Sequence, residues 1–230
     1  LADCKGSRRQ QAEDADRGKH SIFESRHVPE WLACFAAKTR SVEMNELEIL
    51  GIVGSLRKDS YNRFALKAAQ ELVPEGAVLN LIELHDIPVF NQDNEMAPPA
   101  SVLEFKRRIL IADAILFSTP EYNYSLSGGL KNAIDWASRP YGESAWLRKP
   151  AALMGASVDN LGTARAQYHL RQILIGQDMP VVNQPEVMIG SAAQRFDENG
   201  RLNDEPTRLL IRGLLFSLVQ LARKAGSNVK

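Results

Sequence analysis

The stretch ILGIVGSLRKDSYN (49–62) decides how the chain is read. Its first half is an unbroken apolar run, which marks a short strand covered on both faces. Its second half leaves that strand and places two serines, an arginine and an asparagine within eight residues. Strands buried on both faces belong to parallel sheets, and open parallel sheets bind ligands beyond the carboxyl ends of their strands. The helix that follows turns free N–H groups and the positive end of its dipole toward that place, so an anion is favoured there. Ser55, Ser60 and Asn62 can donate to phosphate oxygens, and Arg57 can add a charge-assisted contact. GxxxxGKS/T is absent, which disfavours a nucleoside triphosphate with magnesium. GxGxxG is absent too, which disfavours a Rossmann dinucleotide site. A phosphate monoester held largely by side chains fits best, although a Ser/Asn-rich helix cap with one solvated arginine would read the same way.

Similar runs recur outward from this point. LEILGIV (47–53), VLNLIEL (78–84), DAILFSTP (113–120), PAALMGAS (150–157) and the region MPVVNQPEVMI (179–189) read as strands. Between the first two, Phe64, Ala65, Ala68, Ala69 and Leu72 share one helical face, closed by Pro74 and Gly76. Further helices are expected over PPASVLEFKRRILIA (98–112), which opens on proline, over GGLKNAIDWAS (128–138) and over TARAQYHLRQIL (163–174). A last helix is expected over 204–224, with Leu210, Leu214, Leu218 and Leu221 along its buried stripe. This alternation predicts an α/β domain: a three-layer, doubly wound, five-stranded parallel sheet of the flavodoxin type.

Composition narrows the chemistry. Of 230 residues, 44% are hydrophobic and 24% charged, with a formal net charge of zero, so nothing general favours nucleic acid or an anionic membrane as partner. Both cysteines, Cys4 and Cys34, precede the first strand, which removes thiol catalysis, thiolate metal sites and a disulfide framework from the expected fold. The four histidines (His20, His27, His85 and His169) lack metal-ligand spacing, and no metal is expected. The longest apolar run, LLIRGLLFSLVQLA (209–222), is interrupted by Arg212 and is too short to span a bilayer. Residues 1–43 are polar apart from the island WLACFAA (31–37), which is too short and wrongly flanked for a secretory signal. They are read as an N-terminal extension, disordered or not native, before a working domain at 44–230, and a cytoplasmic protein is expected. A docking arm built on Trp31 and Phe35 is the alternative for that extension.

A second constellation follows the third strand: TPEYNYSLSGGLKNAIDW (119–136). Pro120 ends the strand, and Glu121, Tyr122 and Asn123 emerge at the same sheet edge as the 54–62 loop. Tyr122 and Tyr124 offer aromatic faces, and Gly128 and Gly129 permit close backbone approach. A flat, partly apolar ligand beside a phosphate suits this pairing, and ordinary loop packing of the tyrosines is the bland alternative. Lys131 and Asp135 are one helical turn apart and read as a surface pair.

GSLRKDSYN, PEYNYSLSGGLKNAIDW and GASVDNLGTARAQYHLRQIL, in that order, resemble the NAD(P)H-dependent FMN reductase family, which includes chromate-, quinone- and azo-reductase-like flavoproteins. The resemblance covers residues 47–190. It implies FMN as cofactor and NADPH or NADH as co-substrate. It also implies a ping-pong cycle in which hydride reaches flavin N5 and then a small-molecule acceptor, with no catalytic side chain. Position by position, it implies that Ser55, Arg57, Ser60 and Asn62 bind the flavin phosphate. Pro120, Glu121, Tyr122 and Asn123 would lie along the ring, and Ser157 and Gly162 beside its pyrimidine side. Arg165 would orient that third loop or receive the nicotinamide nucleotide, with Tyr124 as a further substrate contact; a solvated arginine on the helix face is the alternative. Many members place a Pro/Gly-rich turn after the loop serine, whereas this chain has Val158-Asp159-Asn160-Leu161 before Gly162. The resemblance also implies a dimer or tetramer, and Tyr124, Leu126, Trp136 and Trp146 are candidates for such a surface, with burial inside one subunit an equal account of Trp136.

Two rivals remain open on sequence. A flavodoxin-like electron carrier would share the fold, but such carriers are usually acidic, whereas this chain is neutral and has Arg57 in the loop. A non-redox binding module for another phosphorylated ligand would share it as well, because fold alone does not fix function.

Overall fold

The computed structural model describes residues 46–227. The readings of the N-terminal extension, including its Trp31 and Phe35 arm, lie outside those residues. Among the described residues the strands are β1 (Leu47–Val53), β2 (Ala77–Ile82), β3 (Ala114–Ser118), β4 (Ala151–Ala156) and β5 (Val187–Ile189). The helices are α1 (Tyr61–Leu72), α2 (Ala100–Ile111), α3 (Gly128–Ala137), α4 (Ala164–Ile175), the single turn α5 (Ala192–Arg195) and α6 (Glu205–Ser227). All strand pairs are parallel, in the order β2-β1-β3-β4-β5. This is the flavodoxin-type order, so the expected three-layer sheet is present.

Each face of the sheet carries its own core. On one side α1 and α6 bury Leu66, Ala69, Leu214 and Leu218 against Ile49, Leu116 and Met154. On the other, α2, α3 and α4 bury Phe105, Ile109, Ile134 and Leu170 against Leu50, Ile52 and Phe117. The continuous apolar strands serve both faces at once, because alternate side chains point to opposite sides.

Three expectations are corrected. The region 179–189 contributes a strand only at Val187–Ile189, with an isolated bridge from Val181 to Ala151. Its earlier residues hold Asn183, Gln184 and Pro185, which interrupt the ladder. In α6 the buried stripe runs through Thr207, Ile211, Leu214, Leu215, Leu218, Val219 and Ala222, and Leu210 faces solvent. Of the four expected leucines, Leu214 and Leu218 are buried and Leu221 packs against the core; Leu210 alone lies off the buried face, which is widened by Ile211, Leu215 and Val219. Trp136 and Trp146 are core residues: the Trp136 indole donates to Pro88 O at 2.8 Å and the Trp146 indole to Ile134 O at 3.0 Å. Leu126 is also buried, so of the four surface candidates only Tyr124 is exposed. No described helix is long and apolar enough to cross a membrane.

Strand order reverses between β1 and its neighbours β2 and β3, so the turns after β1, β3 and β4 gather at one carboxyl-end rim.

Candidate functional site

The first turn, residues 54–60, is anchored at both ends. Gly54 N donates to Ser118 O at 2.8 Å, and the Ser127 hydroxyl donates to Gly54 O. The Ser55 hydroxyl accepts the Arg57 N–H at 3.3 Å, and the Ser60 hydroxyl caps α1 by accepting the Asn62 N–H at 3.2 Å. Both serines are buried, and serving as acceptors leaves each hydroxyl hydrogen available to a ligand. The N–H groups of Ser60 and Tyr61 find no partner among the described residues. Arg57 is exposed, and the only hydrogen bond of its guanidinium among those residues is a long 3.4 Å contact to Asp59 O. An anion at this corner would therefore meet two backbone donors, two hydroxyls and a guanidinium.

Asn62 behaves differently from the expectation. Its side-chain amide is buried and engaged in both directions with Ala156: Nδ2 donates to Ala156 O at 2.9 Å, and Oδ1 accepts Ala156 N–H at 2.9 Å. Oδ1 also accepts the Ser118 hydroxyl at 3.2 Å. The amide belongs to the scaffold of the rim.

The second turn follows Pro120. Tyr122 and Ser125 exchange N–H···O bonds of 2.9 and 3.0 Å, and the two residues between them have positive φ, 48° at Asn123 and 66° at Tyr124. That is the two-residue hairpin turn with both central residues left-handed, a geometry that asparagine tolerates and tyrosine rarely adopts. Arg165 supports it, with its guanidinium carbon 4.0 Å from the centre of the Tyr124 ring. Tyr122 and Tyr124 are both exposed, so this turn offers aromatic surface to the rim.

Arg165 also joins the second turn to the third. Its Nε donates to the Glu121 carboxylate, whose side chain is only 6% exposed, and Nη2 lies 3.7 Å from Asp159 Oδ2. Glu121 accepts the Ala166 N–H at 3.1 Å as well, placing its negative charge at the favourable end of α4. Partial burial would lower the Arg165 pKa, but the hydrogen bond and charge of Glu121, with Tyr124 and Asp159, outweigh it and hold the group above its ordinary value. Its guanidinium is thus shared among three neighbours in the chain and is not the solvated helix-face group.

In the third turn Ser157 N donates to Ile189 O at 2.9 Å, and the Ser157 hydroxyl accepts the Asp159 N–H at 3.2 Å. Gly162 has φ 64°, and a Cβ there would lie 2.9 Å from the Met188 carbonyl carbon, so both conformation and space require glycine. Val158 and Leu161 point into solvent, which is how the bulkier loop is accommodated.

Two adjoining clefts run along this rim. One of about 170 Å³ is lined by Ser55, Arg57, Ser60, Asn62, Tyr122 and Ser157, among others. The other, about 370 Å³, is lined by Glu121, Asn123, Tyr124, Ser157, Gly162 and Arg165, among others. They share Glu121 and Ser157. Every residue named from the sequence borders one of them, including Pro120.

Comparison with known proteins is decisive for the family. Residues 47–194 match the model of NADPH-dependent FMN reductases. The chain belongs to the NADPH-dependent FMN reductase family. An NAD(P)H-dependent FMN reductase of Pseudomonas aeruginosa is 50% identical over 181 residues, spanning 78% of this chain and 97% of that protein. A quinone reductase of Pseudomonas putida is 48% identical over 155 residues, 67% of this chain and 83% of its own. Among solved structures, the flavoenzyme NAD(P)H:(acceptor) oxidoreductase FerB from Paracoccus denitrificans is 39% identical, with a TM-score of 0.71 over 78% of this chain and 98% of that one. As a member of the FMN reductase family the chain is an oxidoreductase, with FMN as cofactor and NADH or NADPH as co-substrate.

The residues present fit that cofactor. A corner rich in uncommitted donors suits a phosphate monoester, and an open cleft with aromatic walls adjoins it, as a flat ring on a phosphate tail requires. Sequence reading missed Ser118, Ser127, Thr163 and Gln167, all buried polar groups behind the rim. Ser127 and Thr163 carried a signal, as the residues before the Gly128–Ala137 and Ala164–Ile175 helices, where serine and threonine are favoured caps; the Ser127 hydroxyl accepts the Leu130 N–H at 3.2 Å, whereas the Thr163 hydroxyl accepts from Gln167 Nε2.

Proposed function

We propose that residues 44–230 form a reductase that holds FMN across the three turns and passes hydride from NADH or NADPH to quinones, free flavin, azo compounds or metal oxyanions in a ping-pong cycle. The observation that carries this reading is the continuity of the two clefts, donor-rich at one end and aromatic at the other. Flavin when bound supplies the hydride-accepting and hydride-donating centre. Ser55, Ser60, Arg57 and the first N–H groups of α1 would hold the phosphate. The backbone of 120–123 would lie along the ring, and Ser157 and Gly162 would border its polar side. Arg165, held by Glu121, keeps the second and third turns together and presents Tyr124 toward incoming nucleotide or acceptor. No side chain need act as nucleophile or general base. The quinone reductase name of the Pseudomonas putida relative supports a quinone among the acceptors. We take the working form to be a cytoplasmic homodimer or homotetramer, in keeping with the exposed Tyr124 and Leu161 beside the rim.

The spectrum of the purified protein tests the reading. A yellow protein that bleaches on anaerobic addition of NADPH or NADH is a reductase. Yellow without bleaching identifies an electron carrier, and a colourless protein that gains nothing from added FMN identifies a module for some other ligand.

Arg57→Ala is expected to raise the FMN Kd about tenfold, the worth of one exposed charge-assisted hydrogen bond. Riboflavin, which lacks the phosphate, should bind as to the parent protein. Fluorescence titration with both flavins checks this, and an unchanged FMN Kd would remove Arg57 from the phosphate site.

A further inference from the structure

We infer that Asn62 is a positioning residue that sets the phosphate end and the ring end of the flavin site together, and that it is not a phosphate ligand. The inference rests on the FMN reading above. The geometry behind it is specific. Strand β3 ends at Ser118, its last ladder contact is Thr119 N to Met154 O at 3.1 Å, and Pro120 then turns the chain away without an N–H to offer. Ala156, the last residue of β4, is left with an N–H and a C=O on that side, both buried. Asn62 supplies the missing partner for each, at 2.9 and 2.9 Å, as a backbone residue of an added strand would. It does so from the first turn of α1, across 94 positions of sequence.

The consequence is a rigid link between two parts of the site. On one side of Asn62 stands Ser60, whose hydroxyl caps the helix through the Asn62 N–H. On the other, Ala156 is followed directly by Ser157, which opens the third turn. The Ser118 hydroxyl bonded to Oδ1 adds the end of β3 to the same amide. With its side chain 2% exposed by residue and these bonds made, Asn62 acts on a bound flavin through Ala156 and Ser157.

A phosphate ligand and a positioning residue give different signatures. Loss of a phosphate ligand weakens FMN and spares riboflavin, as expected of Arg57→Ala. Asn62→Leu keeps the volume without adding charge near the phosphate and removes both partners of Ala156, so it should weaken FMN and riboflavin by the same factor, about tenfold. It should also move the midpoint potential of the bound flavin, because the polar groups around the ring shift. Ser118→Ala trims the network more gently and should weaken both flavins alike, about twofold to threefold. Flavin titrations and a potential measurement on variants with parent-like circular dichroism provide the readout. Loss of FMN binding with riboflavin binding intact would overturn the inference, as would unchanged affinities and potential. If Asn62→Leu fails to fold, Ser118→Ala decides by the same criteria. A parent protein that binds neither flavin would overturn the FMN reading itself and this inference with it.

Discussion

Gly155→Ala is expected to abolish stoichiometric flavin binding and to destabilise the fold by about 2–3 kcal/mol, the upper range for overpacking a dense interior. A Cβ at this position would lie 1.9 Å from Thr163 Oγ1 and 2.4 Å from Thr119 O. Neither obstacle can retreat cheaply. Thr119 O is backbone at the exit of β3, and Thr163 is fully buried at the start of α4, where its hydroxyl accepts from Gln167 Nε2 at 3.0 Å. The added methyl would therefore push the second turn and the third apart from beneath. Denaturant unfolding and FMN titration measure the two effects. An alanine variant with parent-like stability and affinity would show that the rim does not depend on this contact.

The other large effect is expected far from the rim. Trp146→Ala should cost about 3–5 kcal/mol, as removal of a large buried aromatic generally does. For a domain of this size that is roughly a 10 °C fall in Tm. The indole is fully buried, and its ring centre is 5.8 Å from that of Phe105 and 5.7 Å from that of Phe117. Below the lowered Tm, FMN affinity should be unchanged, since Trp146 borders neither cleft. A surface position would instead change stability by about 0.5 kcal/mol or less. Thermal melts at two protein concentrations separate the cases: an interface residue would make the shift concentration-dependent, and a core residue would not.

Tryptophan 146 also shows where sequence reading stops. It stands in a polar stretch, RPYGESAWLRK (139–149), with no helical or strand period to assign it a face. Burial there is decided by Phe105, Phe117 and Ile134, which lie elsewhere in the chain. The strands were legible for the opposite reason: a run such as AILFS (114–118) has only one physical solution, coverage on both sides. Val187–Ile189 was blurred because three residues carry too little pattern to separate them from the turn before. In α6 the middle of the buried face was legible in Leu214 and Leu218, but its edge was not: packing against α1 and the sheet covers Ile211, Leu215 and Val219 and leaves Leu210 outside.

At the rim, the types of residue and their position after each strand were legible, because the sheet's topology brings those turns together. Their individual bonds were not. Asn62 looked like a ligand because asparagine beside serines at a helix start suits an anion. Ala156, its partner, has no side-chain signal at all. The role of Arg165 as a tie between Glu121, Tyr124 and Asp159 was equally hidden, since 44 positions separate Arg165 from Glu121.

The third turn hangs on residues that come after it in the chain: Ser157 N on Ile189 O, Ala192 N on Ser157 O, and Ser191 N on Asp159 O. During synthesis these partners emerge roughly thirty residues behind the turn they secure. A nascent chain can therefore complete β1, β3 and the phosphate corner while the far side of the pocket still lacks its supports. A chain cut short before β5 would lack all three of these supports, and the ring end of the pocket would lose its backing while the phosphate corner kept its own.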